Sequence, residues 1–144
     1  MDISKLSNIL KIVRGSEPSE EERQSLYKET LLMTLSRAST ADANISPVEV
    51  ETVQAIVKRV TGEDVSAADV RIAAASELYE TGRLDHYLSH AARQLASEQR
   101  VEICEALAEV IRSDVKVTTR EVEFFNTVAS ALKVTPAELV GLNP

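Results

Sequence analysis

The sequence predicts an all-α protein: a single-domain bundle of about seven to eight helices with an internal pseudo-twofold duplication. Three observations predict it. Apolar residues recur at three-to-four spacing almost from end to end, the period of helices that bury one face. Gly and Pro number four each in 144 residues, too few for the many tight turns of a sheet-rich fold. No stretch of useful length alternates apolar and polar residues as a half-buried strand would.

The elements follow in order. Ile3, Leu6, Leu10 and Val13 form one stripe, so residues 2–14 read as a first amphipathic helix. Gly15-Ser16-Glu17-Pro18 breaks it. Ser19 and Glu22 have capping-box spacing, and Glu20, Glu21 and Glu22 suit the positive end of a second helix running to about Ala38. That helix carries Leu26, Tyr27, Leu31, Leu32, Met33 and Leu35 on more than one side, which places it centrally. Ser46, Pro47 and Glu49 supply the N-cap, first-turn Pro and capping Glu of a third helix. Its stripe is Val50, Val53, Ile56, Val57 and Val60, and Gly62 ends it.

Ser66 and Asp69 open a fourth helix, which includes Ile72, Ala73, Leu78 and Tyr79 and stops at Gly82. Leu84, Tyr87, Leu88, Ala91 and Leu95 define a fifth; Val101, Cys104, Leu107, Ala108 and Ile111 define a sixth. Thr118 and Glu121 cap a seventh, with the stripe Val122, Phe125, Val128, Ala129 and Leu132. Thr135-Pro136-Ala137-Glu138 opens a short last helix. The divisions are therefore an N-terminal helix at 2–14, a first half at 20–80 and a second half at 84–142, together one domain over 1–144.

Composition narrows the function. The formal net charge is −7, which repels phosphate backbones and anionic lipid and argues against nucleic acid as a partner. Cations and basic protein surfaces are favoured. Aromatics are 3% of residues, too few for a base-stacking surface. A single Cys excludes an internal disulfide and suits a reducing compartment. Neither a signal peptide nor an apolar run of the ~20 residues a membrane span needs is present. The expectation is a cytoplasmic protein.

Two segments match 72 positions apart: Ala41-Asp42-Ala43-Asn44-Ile45-Ser46-Pro47-Val48-Glu49 and Ser113-Asp114-Val115-Lys116-Val117-Thr118-Thr119-Arg120-Glu121. Each reads Asp, two residues, a β-branched apolar residue, Ser or Thr, two residues, Glu. A period this long points to duplicated helical halves, with the two motifs expected to face each other near the bundle axis. The paired pattern resembles the TerB-like family, which includes tellurite-resistance TerB proteins and the N-terminal region of DjlA-type co-chaperones. The resemblance covers roughly residues 25–140. Where the family has Gly after each Asp, this chain has Ala43 and Val115, which forgo the backbone freedom of Gly. The resemblance implies a compact all-helical module linked to tellurite or stress tolerance. It implies paired acidic metal ligands, here Asp42, Glu49, Asp114 and Glu121.

Two readings of those four carboxylates stand side by side. If the motifs converge, their mutual repulsion calls for a cation, and all-oxygen ligands favour calcium, magnesium or manganese. Alternatively, Glu49 and Glu121 are capping-box residues and the Asp residues close the preceding loops. An EF-hand is excluded because Pro47 stands where its Gly is required, Val53 where its bidentate Glu is required, and Lys116 at a ligand position of the second copy.

Other residues offer less. His86 and His90 share a helix face, but the stripe beside them claims the buried side, and neither Cys nor an HExxH motif completes a zinc site. Cys104 lies within an apolar stripe, as a small buried residue does. There is no nucleophile elbow and no Gly-rich phosphate loop, so no enzyme is expected. The first helix is locally basic through Lys5, Lys11 and Arg14 and either packs on the bundle or docks an acidic partner or second subunit. The expected function is a non-enzymatic module that binds a divalent cation and acts in tellurite or stress resistance. The alternative is a co-chaperone-like interaction module whose acidic residues only cap helices. Both expect a protein partner, and a homodimer is compatible with either.

Overall fold

The computed structural model describes residues 19–38, 47–75, 84–114 and 116–142. The described residues form seven α-helices and no strand: α1 Glu20–Ala38, α2 Pro47–Thr61, α3 Ala67–Ala74, α4 Leu84–Gln94, α5 Ser97–Arg112, α6 Thr119–Ala131 and α7 Pro136–Leu139. The expected helix at 2–14 lies outside the described residues, as do Leu78, Tyr79 and Gly82 of the fourth.

Most helix starts are fixed by local chemistry. Ser19 Oγ accepts from Glu22 N at 3.1 Å and Glu22 Oε1 accepts from Ser19 N at 3.3 Å. The same reciprocal pair recurs at Ser66–Asp69, Thr118–Glu121 and Thr135–Glu138. Each box satisfies backbone donors that a helix start leaves open. Helix α5 lacks a capping hydroxyl because Ala96 stands at its N-cap; Gln99 still reaches back, its Oε1 accepting from Ala96 N at 2.9 Å.

The core is built around α1. Leu26, Leu31, Leu32, Met33 and Leu35 are each at most 1% exposed, so this helix is covered on nearly every side. It packs against α2, α3, α4, α5 and α6. Helix α4 lies on α6, and α7 lies on α5. Val53, Ile56, Val57, Leu88, Ile103, Leu107, Val128 and Leu132 complete one hydrophobic cluster. Polar links tie the halves together: Tyr27 Oη donates to Glu102 Oε2 at 2.6 Å, and Arg59 grips Glu109 with two bonds of 2.9 and 2.8 Å.

The structure keeps Phe125, Val128, Ala129 and Leu132 on the inward face of α6 and departs from the expected stripe at its first residue. The expected stripe began at Val122, but Val122 is 47% exposed and Glu121 is 7% exposed. Both Glu121-Phe125-Val128-Leu132 and Val122-Phe125-Ala129-Leu132 have helical spacing. Glu121 takes the inward place in the first turn while its Oε1 accepts from Thr118 N. Ile72, also expected in the fourth helix, sits there facing outward at 55% exposure.

Candidate functional site

Of the four acidic residues the duplication singles out, three are described. Glu121 sits in the first turn of α6, its Oε1 accepting from Thr118 N at 2.9 Å while Thr118 Oγ1 accepts from Glu121 N at 3.1 Å. Its burial sets it apart: the capping acids of α1, α3 and α7 are exposed or half-exposed. Asp114 is exposed on the turn after α5, and Glu49 is half-buried in the first turn of α2. Glu49 and Asp114 are each engaged by neighbouring groups. Asp42 lies outside the described residues, and the complete quartet with it. Among the described residues, no three His, Cys, Asp or Glu side chains gather as a metal-holding group.

The remaining candidates sort by environment. Burial pushes the Cys104 thiol up to about 12, with Glu105 adding to the shift, so the thiolate a nucleophile needs is not formed near neutrality. His86 and His90 approach on the outer side of α4, their Nε2 atoms 3.0 Å apart and their rings nearly perpendicular at 84°. Desolvation, then the neighbouring His86 and Arg93, lowers the His90 imidazole below its ordinary value. Tyr27 is raised well above the usual phenol range by burial and by the Glu102 carboxylate that accepts a hydrogen bond from its hydroxyl.

Two surface grooves flank α6. One, between α4 and α6, is polar and open, lined by Asp85, Ser89, Asn126, Thr127 and Ser130. The other, between α5, α6 and α7, is lined by Cys104, Ala108, Phe125 and Leu139 with Glu105, Glu109 and Arg112 at its edge.

Sequence reasoning missed two features. Glu29 is 5% exposed in the middle of α1, where it is engaged by a neighbouring group. Its signal was its position one turn from Leu26 and Met33, inside a helix already read as central. The second is the hydrogen bond between the His86 and His90 rings, whose shared face follows from their four-residue spacing.

No helix among the described residues is long and apolar enough to cross a membrane. No curated protein and no solved structure matches the chain. The family model described as tellurite resistance protein TerB does match, over residues 28–143. That span takes in both acidic motifs and every described helix except the first turns of α1, and the chain accordingly belongs to the TerB tellurite-resistance family.

Proposed function

We propose that this chain is a non-enzymatic TerB module of tellurite or stress tolerance in the cytoplasm, working through a divalent cation held by Asp42, Glu49, Asp114 and Glu121. The observation that carries the reading is the burial of Glu121, at 7% exposure. A capping carboxylate performs its task at the surface, as Glu22 does. Desolvating one costs free energy that a cap alone does not recover, whereas a cation or a tight donor set does. The repetition of the same carboxylate pair 72 residues apart supports a shared site. Hard oxygen ligands suit calcium, magnesium or manganese.

A second reading has its own support. The Thr118–Glu121 box is complete in both directions, and the same box recurs at three helix starts with no acidic repeat. On that reading the acids are structural, and the module acts by docking a protein partner.

One experiment separates the two. Gln can fill the capping role, as Gln99 does at Ala96. The double substitution Glu49→Gln and Glu121→Gln should therefore keep the fold while removing ligand charge. Chelator-stripped protein titrated with calcium, magnesium and manganese is expected to bind one of them. A cation at a hundredfold above its dissociation constant should stabilise the fold by about 2.7 kcal/mol, and the double variant should lose that gain. Absence of binding heat and thermal shift at millimolar metal would overturn the cation reading and leave the docking module.

A further inference from the structure

We propose that His86 and His90 form a second, independent cation site, a two-imidazole clamp on α4 for a borderline d-block ion of tetragonal preference, copper(II) above all. The two Nε2 atoms stand 3.0 Å apart, with ring centroids 4.4 Å apart and planes at 84°. Metal–imidazole bonds are about 2.0–2.1 Å, so two nitrogens at the observed separation subtend roughly 94° at a shared ion. A tetrahedral ion would need a separation of about 3.3 Å at the same bond length. The approach fits adjacent corners of a square-planar or octahedral ion, the geometry of copper(II) and nickel(II).

The placement suits a chelate. Residues four apart on a helix stack on one face, so the clamp needs no rearrangement of the backbone. Helix α4 is anchored by Tyr87, Leu88, Ala91 and Leu95 in the core, which fixes the carrier while His86 remains exposed and His90 half-exposed. Arg93 adds one local positive charge, set against a chain whose formal net charge is −7. Without metal, one imidazole donates its Nε2 hydrogen to the other; an ion replaces that bond once the donor ring takes its Nδ1-protonated tautomer, with no net loss of a proton from the neutral pair. Two ligands leave the other coordination positions to water, so the expected affinity is that of an open site, not a buried structural one.

The donor chemistry differs from the acidic quartet, and the test keeps the two apart. Chelator-stripped full-length protein is titrated with copper(II), nickel(II) and zinc(II) salts, following binding heat and, for copper, the electron paramagnetic resonance spectrum. One copper(II) per chain is expected, with a spectrum of two equatorial imidazoles and affinity falling from copper to nickel. His86→Ala and His90→Ala should each weaken copper binding at least tenfold with unchanged circular dichroism. His86→Asn provides the same reading should an alanine variant lose helicity. Glu49→Gln with Glu121→Gln should leave copper binding intact. Wild-type affinity in the His variants, loss of copper binding in the acidic double variant, or zinc bound more tightly than copper would overturn the proposal.

Discussion

The two halves of the molecule carry the same motif and spend it differently. In the first, α1 is buried almost all round, and the eight-residue α3 covers one side of it with Val70, Ala73 and Ala74. In the second, α5 keeps a solvent face, and the four-residue α7 beside it contains no fully buried residue, with Val140 and Leu142 after it more than 70% exposed. The paired helices differ in caps as well as burial: Ser19 caps α1, whereas Ala96 offers no capping hydroxyl to α5. Among the described residues, the half that supplies the central helix holds eight of the twelve largest fully buried side chains.

The largest expected effect tests that asymmetry directly. Leu31 is fully covered in α1, so Leu31→Ala should destabilise by about 3 kcal/mol, from lost transfer free energy plus a cavity hemmed in by five helices. Val122→Ala on the exposed face of α6 should stay within about 0.5 kcal/mol. Denaturant midpoints with an unchanged slope would measure both. Comparable losses at the two positions would dissolve the distinction between a central and a peripheral half.

Caps come next. Thr118→Ala removes one arm of the box at α6, whose inner face is in the core, and should cost about 1 kcal/mol. Thr135→Ala removes the same arm at α7, which buries no residue, and should cost clearly less because few contacts depend on that helix forming. Thermal unfolding of the pair resolves the difference. An equal loss would mean α7 is coupled to the core more tightly than its burial indicates.

These caps also mark what could be read from the sequence. Capping boxes are local: a hydroxyl and an acid three residues apart suffice, so Ser19–Glu22, Ser66–Asp69, Thr118–Glu121 and Thr135–Glu138 were legible without any tertiary knowledge. The central standing of α1 was legible as well, because apolar residues on several sides of a helix have nowhere else to go. Choosing Glu121 over Val122 as the inward residue was not, since both satisfy helical spacing and only the packing of the folded helix separates them. The Tyr27–Glu102 bond joins residues 75 positions apart, and no local pattern announces it. As for the candidate site, the sequence identified its residue types and their repetition. Their mutual distances are set by how the halves dock, which a periodicity cannot encode.

The helix ends repeat the comparison at a single backbone position. Gly62 follows α2 with φ of 76°, and Lys133 follows α6 with φ of 58°. Both turn the chain through the left-handed region, which costs a residue with a Cβ free energy that Gly avoids. Around Lys133 the turn is held by Val134 N donating to Ala129 O at 2.9 Å and Lys133 N to Ser130 O at 3.1 Å. Lys133→Gly should therefore stabilise by about 0.5–1 kcal/mol, and Gly62→Ala should destabilise by a similar amount although no atom crowds its Cβ. Opposite signs from the two substitutions are the expected calorimetric result.

The smallest effect concerns the charges that join the halves. Arg59 and Glu109 bridge α2 and α5 with side chains 60% and 44% exposed, so water screens the pair and its coupling should be no more than about 0.5 kcal/mol at low salt. Lys28–Glu63, at 2.5 Å, is the counterpart within the first half. The hydrogen bond from Arg59 lowers Glu109, and that from Lys28 lowers Glu63, each below the ordinary value of 4.5. A carboxylate lowered in the folded state binds fewer protons there than when unfolded. Its contribution is complete above the ordinary carboxylate range and fades as pH falls through the folded value. Stability should accordingly decline on the acid side, from about pH 4.5 downward. Glu109→Gln and Glu63→Gln should each flatten that limb slightly while leaving neutral stability nearly unchanged. Because Glu109 joins the two halves, its variant should also speed their separation, measured as amide exchange in α2 and α5, whereas Glu63→Gln should loosen only the end of α2. An acid limb unaltered by both substitutions would overturn the assignment of the decline to these two pairs.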